Sequence, residues 1–129
     1  MKNIVDASFI LDFLLPDEQS VYVIKTLEEY KEGTMSFIAP IILPFEVING
    51  LKYAVESKRI KESIALELLE IFLKLDIGLL QINLKKTLLI SLKKELSIYD
   101  ASYLYLAENL NLPLLTLDKK LRKLASRNN

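Results

Sequence analysis

Short apolar segments alternate with longer amphipathic segments along this chain, and few folds accommodate that order. The four short runs carry a single charge among them and have the length of buried strands; they cover residues 2–5, 35–39, 78–82 and 114–116. The intervening segments repeat apolar residues at helical spacing and predict helices over residues 9–15, 18–30, 40–55, 61–75, 85–96 and 97–110 or 99–110, and a last one containing Leu117, Leu121 and Leu124. Strands buried on both faces are typical of parallel sheets. The sequence therefore predicts an α/β three-layer sandwich, with a short, mostly parallel sheet flanked by helices.

The ends of several helices are predicted from residues that start or stop a helix. Ser8 is expected to cap the first helix, which Pro16 stops, and Gly33 is expected to close the second. Pro44 is expected in the first turn of the third helix, where its missing N–H group is harmless. The chain has 129 residues and neither a linker nor an internal repeat, so we expect a single domain over residues 1–129.

The chain contains neither His nor Cys, and these two absences exclude several kinds of chemistry. Without Cys there are no disulfides, thiolate metal sites or thiol nucleophiles. Without His there is no Ser-His-Asp triad, no imidazole base and no His-ligated zinc. Any catalysis must depend on carboxylates, hydroxyls and Lys or Arg. Oxygen ligands select hard cations, so Mg²⁺ is the expected cofactor and Mn²⁺ is expected to substitute for it.

The charge distribution bears on the partners and the location of the protein. The formal net charge is zero, so a nucleic-acid partner needs a local basic patch. The candidate RNA-binding patch follows Asp118, after which no acid occurs; it contains Lys119, Lys120, Arg122, Lys123 and Arg127. A solvated helix face is the alternative explanation. Asp6 and Asp12 interrupt the N-terminal apolar stretch, and no run suits a membrane span, so we expect a cytoplasmic protein.

Four acids stand in apolar surroundings, where a charge without a partner is costly. Each is the single charge in its stretch of apolar and small residues: Asp6, Glu46, Asp100 and Asp118. Asp6 and Asp118 could be helix N-caps, and Asp100 could be an acid in a first helical turn. Glu46 is harder to explain in this way, because it would lie one turn into a very apolar helix.

The positions of these acids favour a functional site. Asp6 and Asp118 each follow a short strand, and ligands of open parallel sheets bind outside the carboxyl ends of the strands. If Glu46 and Asp100 join them from helix starts, each pair of charges at roughly 4 Å costs about 4 kcal/mol unless protons or cations neutralise it. A Mg²⁺ or Mn²⁺ site would do so, and its chemistry is that of phosphodiester hydrolysis.

Three segments carry a resemblance to a known family. They are IVDAS at 4–8, FEVINGL at 45–51 and YDASYLYLAENLNLPLLTLDKKL at 99–121. In these segments the chain resembles the PIN-domain ribonucleases and, among them, the VapC-type toxins of toxin–antitoxin pairs. The last segment is the most specific, and the match spans essentially the whole chain with the motifs in the family's order.

The resemblance implies a role for each matched residue. Asp6, Asp100 and Asp118 correspond to metal-binding acids, and Glu46 is the acid that completes the site or orients the attacking water. Ser8 and Thr116 match the hydroxyls that accompany the first and last acids, and Asn49 matches the polar position one turn after the Glu. The family implies a Mg²⁺-dependent endoribonuclease that cuts tRNA or rRNA, forms homodimers and binds an antitoxin protein.

Alternatives to this interpretation remain open. A receiver-like domain usually has paired acids after its first strand and a Lys after its last, whereas Val5 precedes Asp6 here and Thr116-Leu117-Asp118 stands where that Lys would be. The other alternative is a PIN scaffold without activity that binds RNA or a protein partner. For Tyr99, Tyr103 and Tyr105, packing is favoured over stacking on bases. The remaining acids considered are expected to be solvated or capping: Asp12, Asp17, Glu18 and Asp76.

Overall fold

The computed structural model of the chain describes residues 1–126, which form four strands and seven helices in the predicted order. The strands are β1 Lys2–Val5, β2 Ser36–Pro40, β3 Ile77–Leu80 and β4 Leu114–Leu115. The helices are α1 Ala7–Leu14, α2 Val21–Lys31, α3 Leu43–Glu56, α4 Glu62–Leu73, α5 Leu84–Lys94, α6 Ile98–Leu110 and α7 Lys119–Ser126.

The four strands form one sheet in the order β3-β2-β1-β4, and every neighbouring pair is parallel. Helix α1 contacts α2, α3 and α4, and α3 also contacts α4, while α6 packs against α5, α7 and strands β1, β2 and β4. The sheet therefore lies between two helical layers, which confirms the predicted α/β three-layer fold. The chain leaves β1 towards β2 on one side and returns to β4 on the other, and such a reversal opens a crevice at the carboxyl ends of these strands.

The ends of the helices show where the local predictions succeed and where one is wrong. Pro44 lies in the first turn of α3, as expected. Ser8 is not the cap of α1: Asp6 is the N-cap, and its side chain accepts a hydrogen bond from the Phe9 amide. Asp6 takes this position because it follows β1 in extended conformation, which leaves Ser8 inside the first turn.

Helix α2 begins at Val21, later than predicted, because the acids before it are engaged elsewhere. The guanidinium of Arg59 donates two hydrogen bonds to Asp17 and one to Glu18. Asp12 is buried and its Oδ1 accepts from the Ser20 amide at 2.7 Å. Of the acids expected to be solvated or capping, Asp17 and Glu18 are therefore ion-paired at the surface. The expectation is wrong for Asp12, which is buried and bonds to the backbone of Ser20, the N-cap residue of α2.

One glycine on α3 makes room for a leucine side chain of α1 beside the crevice. A Cβ atom added to Gly50 on α3 would lie only 2.3 Å from Cδ1 of Leu11 on α1. The missing side chain thus leaves space for Leu11 to pack against α3, one turn after Glu46. No helix among residues 1–126 has both the length and the apolar character that spanning a membrane requires.

Candidate active site

The four acids singled out in the sequence lie around one cavity of about 340 Å³. Asp6 follows β1 and Asp118 follows β4, and these strands are neighbours in the sheet. Glu46 comes from the first turn of α3 and Asp100 from the first turn of α6. The remaining residues that line the cavity are Ala7, Ser8, Leu11, Asn49, Gly50 and Tyr103.

Asp6 is the most buried of the four acids, with 5% of its surface exposed. Its Oδ1 accepts from the Ser8 hydroxyl at 2.7 Å and from the Phe9 amide at 3.0 Å. Its Oδ2 accepts from the Thr116 hydroxyl. These three donors orient the carboxyl group and satisfy both of its oxygens, so Asp6 caps α1 and lines the cavity at once.

The hydroxyls of Ser8 and Thr116 join the end of β1 to the end of β4. The Ser8 Oγ accepts from the Leu117 amide at 3.0 Å, and the Thr116 Oγ1 accepts from the Asp118 amide at 3.0 Å. Each hydroxyl thus donates to Asp6 and accepts from the backbone that leads to Asp118. This network ties the positions of the two acids together across 112 residues of chain (118 − 6).

Asp118 and Asp100 occupy helix starts in different ways. Asp118 is exposed, and its Oδ1 accepts from the Leu121 amide at 2.8 Å, so it caps α7. Asp100 is half-buried in the first turn of α6, whose N-cap is Ser97; the Asp100 amide donates to the Ser97 hydroxyl at 3.0 Å. Asp6 and Asp118 are therefore helix N-caps, as the sequence suggested, and both also line the cavity.

Three of the four acids resist ionisation. Burial raises the pKa of Asp6 above its ordinary value, and the negative charge of Asp100 adds to this, against the opposing hydrogen bonds from Thr116, Ser8 and Phe9. Burial also raises the pKa of Glu46, with the charges of Asp100 and Asp6 adding to it. The pKa of Asp100 is raised by burial and by Asp118, while Lys120 opposes the shift. The negative charges of these acids therefore repel one another.

The donor set fits a hard divalent cation in its chemistry, because every polar group that faces the cavity offers oxygen, apart from the amide nitrogen of Asn49. The side chains do not converge fully: among residues 1–126 no three acidic groups lie close enough together to hold a metal ion as they stand. A cation bound here would therefore need water molecules or small side-chain rotations to complete its shell. Mg²⁺ retains several waters in most protein sites, which suits such an open arrangement.

Tyr103 contributes to the cavity, although the sequence interpretation favoured packing for this side chain. The side chain is buried, with 1% exposed, and its hydroxyl donates to Glu46 Oε1 at 2.7 Å. This bond favours the ionised form of Glu46 and opposes the effect of burial on its pKa. Burial and the nearby carboxylates keep the phenol itself protonated, because they raise its pKa. Its position one turn after Asp100 was the signal in the sequence.

The residues of the predicted basic patch differ in whether they have partners within the protein. The guanidinium of Arg122 donates to the Thr116 carbonyl at 2.7 Å and lies 5.3 Å from the ring centroid of Tyr22. Lys120 donates to the Glu95 carbonyl at 2.9 Å. Lys119 and Lys123 are exposed on α7, whereas Arg127 lies outside the described residues. Arg122 and Lys120 therefore have structural partners, and Lys119 and Lys123 present their charges to solvent.

Comparisons with known proteins agree with this fold. The PIN domain family matches residues 4–127. The chain is 32% identical over 126 residues to "Ribonuclease VapC3" of Pyrobaculum aerophilum, covering 94% of this chain and 92% of that protein. It also superposes on the crystal structure of PAE2754 from Pyrobaculum aerophilum with a TM-score of 0.70 at 22% identity, covering 99% and 98% of the two chains. The chain is thus a member of the PIN-domain family and is similar to its VapC ribonucleases.

Proposed function

We propose that this protein is a metal-dependent endoribonuclease that acts as the toxin of a toxin–antitoxin pair. The observation that carries the proposal is the meeting of four carboxylates in one cavity at the carboxyl ends of β1 and β4, where burial and mutual repulsion raise the pKa of three of them. A divalent cation, with water molecules completing its shell, would offset this charge. The similarity to a protein named as a ribonuclease supports the reaction class.

We assign Asp6, Asp100 and Asp118 to holding Mg²⁺, for which Mn²⁺ would substitute. When bound, the cation would lower the pKa of a coordinated water and stabilise negative charge on the phosphate. Glu46 would orient that water, since its carboxylate points into the cavity and is held by Tyr103. Ser8 and Thr116 would keep the Asp6 carboxylate in place, and Asn49 lines the cavity with an exposed amide.

We propose the substrate and the partners from the similarity to the family and from the surface of the protein. We infer a tRNA or an rRNA as the substrate, with Lys119 and Lys123 contacting its phosphates, and a location in the cytoplasm. An antitoxin protein would cover the acidic cavity. A homodimer is supported by an apolar stripe on α5, where three leucines are 75%, 49% and 68% exposed: Leu84, Leu88 and Leu92. We further infer that residues 1–129 act as one domain.

Incubation of the purified protein with total cellular RNA tests the proposal. We expect discrete fragments in Mg²⁺ or Mn²⁺ and intact RNA when EDTA is present. The second candidate function is a PIN scaffold that binds RNA or a protein without cutting it. Intact RNA in every reaction, together with no heat in a calorimetric titration with Mn²⁺, would favour the scaffold and rule out the metal-dependent nuclease.

Removal of the Tyr103 hydroxyl should slow cleavage without disturbing the fold. Tyr103→Phe keeps the buried ring but leaves the Glu46 carboxylate without its donor, so we expect kcat to fall about 10- to 100-fold with KM nearly unchanged. The free energy of unfolding should fall by only about 1 kcal/mol. Tyr105→Phe on the same helix, outside the cavity, is the matched control. Equal kcat values for the two variants would show that Tyr103 serves packing alone.

A further inference from the structure

The acidic cavity is the middle of three adjoining cavities that follow one another along α3. Near the start of the helix, a cavity of about 360 Å³ is lined by Phe45 and Tyr99 and shares Glu46 and Asn49 with the acidic cavity. Towards its end, a cavity of about 390 Å³ is lined by Tyr53 and also shares residues with the acidic cavity; these are Ser8, Leu11, Gly50 and Asp118. The carboxylates therefore lie at the centre of a groove with aromatic residues at both ends.

Exposed aromatic rings are concentrated in this groove. The chain has eleven Phe and Tyr residues, of which four are exposed: Tyr22, Phe45, Tyr53 and Tyr99. Tyr22 is in contact with Phe9 and with the guanidinium of Arg122. The other three are 67%, 65% and 53% exposed and make no ring contact within residues 1–126. Three unstacked rings beside one acidic cavity indicate a ligand with flat apolar faces.

We propose that these rings bind unpaired RNA bases on both sides of the phosphate that is cut. Phe45 and Tyr99 would take a base on one side, and Tyr53 would take a base on the other. The inference rests on the proposed function, because the cation that the carboxylates would hold is what would place the scissile phosphate in the middle of the groove. Bases in a duplex are already stacked on one another, so the rings select single-stranded segments.

Asn49 adds a polar contact beside the first of these rings. Its side chain is exposed, lines both the acidic cavity and the cavity of Phe45 and Tyr99, and has no hydrogen-bond partner among residues 1–126. An amide both donates and accepts, which matches the edge of a base. RNA is favoured over an apolar protein segment because the two aromatic ends are continuous with carboxylates that would hold a cation, and a bound cation would attract a phosphate.

Binding of fluorescein-labelled single-stranded RNA of mixed sequence, followed by anisotropy, tests the proposal. The protein would carry Asp100→Asn so that the RNA stays intact, and Phe45→Ala, Tyr53→Ala and Tyr99→Ala would be added one at a time. Each should raise Kd roughly 5- to 150-fold, while Phe45→Trp should keep affinity because it keeps a stacking ring. The matched control is Leu66→Ala on α4, where the leucine is 59% exposed outside the groove.

The same aromatic substitutions without Asp100→Asn supply an independent reading, since kcat/KM for cleavage should fall by similar factors. Unchanged Kd and kcat/KM in all three variants would overturn the inference. The inference would also be overturned if the aromatic variants lost the homodimer but bound RNA as before, because the rings would then belong to a protein interface. If the wild type binds RNA through these rings but never cuts it, the proposed nuclease fails, and of this inference only the binding of unpaired bases by the rings stands. If it cuts RNA regardless of the rings, only this inference fails.

Discussion

Asp100→Asn is expected to lower the rate of RNA cleavage by about a thousand-fold or more while the protein stays folded. Losing one of three carboxylates that we assign to the cation removes several kcal/mol of transition-state stabilisation, and about 4 kcal/mol corresponds to a factor of about a thousand. The fold should persist because α6 keeps its N-cap, the Ser97 hydroxyl, which accepts from the backbone amide of residue 100. Initial rates in saturating Mg²⁺, with circular dichroism of the same samples, measure both effects.

The same variant should melt at a higher temperature than the wild type when no metal is present. The Asp100 carboxylate is half-buried beside Asp118, and both burial and that neighbour raise its pKa, so its charge opposes folding at neutral pH. A neutral amide removes this opposition. Asp76→Asn is the matched control, because Asp76 is an exposed acid outside the cavity. Full activity of Asp100→Asn in saturating Mg²⁺ would remove Asp100 from the assigned site.

Asp6→Asn is a less clean test than Asp100→Asn, for a reason visible only in the structure. Both Asp6 oxygens accept hydrogen bonds, and Oδ2 receives the Thr116 hydroxyl. An amide nitrogen in place of an oxygen turns one of these acceptors into a donor, so the link between β1 and β4 would change together with the charge. A loss of activity in that variant would mix two causes.

Divalent cations and protons are both expected to stabilise the protein, because each reduces the negative charge of the carboxylates around the cavity. At about one hundred times its Kd, a cation that binds only the folded state adds about 2.7 kcal/mol, which corresponds to a rise of about 10 °C in Tm for a chain of this size. Thermal unfolding in EDTA and in Mg²⁺ or Mn²⁺ measures this rise. An unchanged Tm in both cations would contradict the metal site.

The stability of the metal-free protein is expected to increase as the pH falls from neutral. The pKa values of Asp6, Glu46 and Asp100 are raised in the folded state, so the folded protein binds these protons more readily than the unfolded chain. Stability should therefore increase as pH falls from neutral through the raised values, towards the ordinary values of 3.8 for Asp and 4.5 for Glu. Asp17 opposes this trend, because its hydrogen bonds with Arg59 lower its pKa.

Unfolding in EDTA at about pH 7 and about pH 5 tests this expectation. We expect a higher Tm at the lower pH and a smaller difference in Asp100→Asn, which lacks one of the three groups. Added Mg²⁺ should raise Tm more at the higher pH, because protons and the cation compete for the same carboxylates. A metal-free protein that loses stability steadily as pH falls over this range would show that the acids are not mutually destabilising.

Much of the fold could be predicted because its signals are local. Buried strands appear as short apolar runs and helices as apolar residues at helical spacing, so the order of all eleven elements among residues 1–126 follows from neighbouring residues. The four acids could be found in the same way, since each is the single charge in an apolar stretch. For Asp6 and Asp118 the meeting could be anticipated, because the carboxyl ends of parallel strands share one edge of the sheet.

Contacts between distant parts of the chain depended on the tertiary structure. The Tyr103 hydroxyl on Glu46 and the Thr116 hydroxyl on Asp6 join residues 57 and 110 positions apart, and no local pattern encodes these partners. Propensity and periodicity specify elements, whereas the partner of a buried polar group is specified by the strand order and helix packing that surround it.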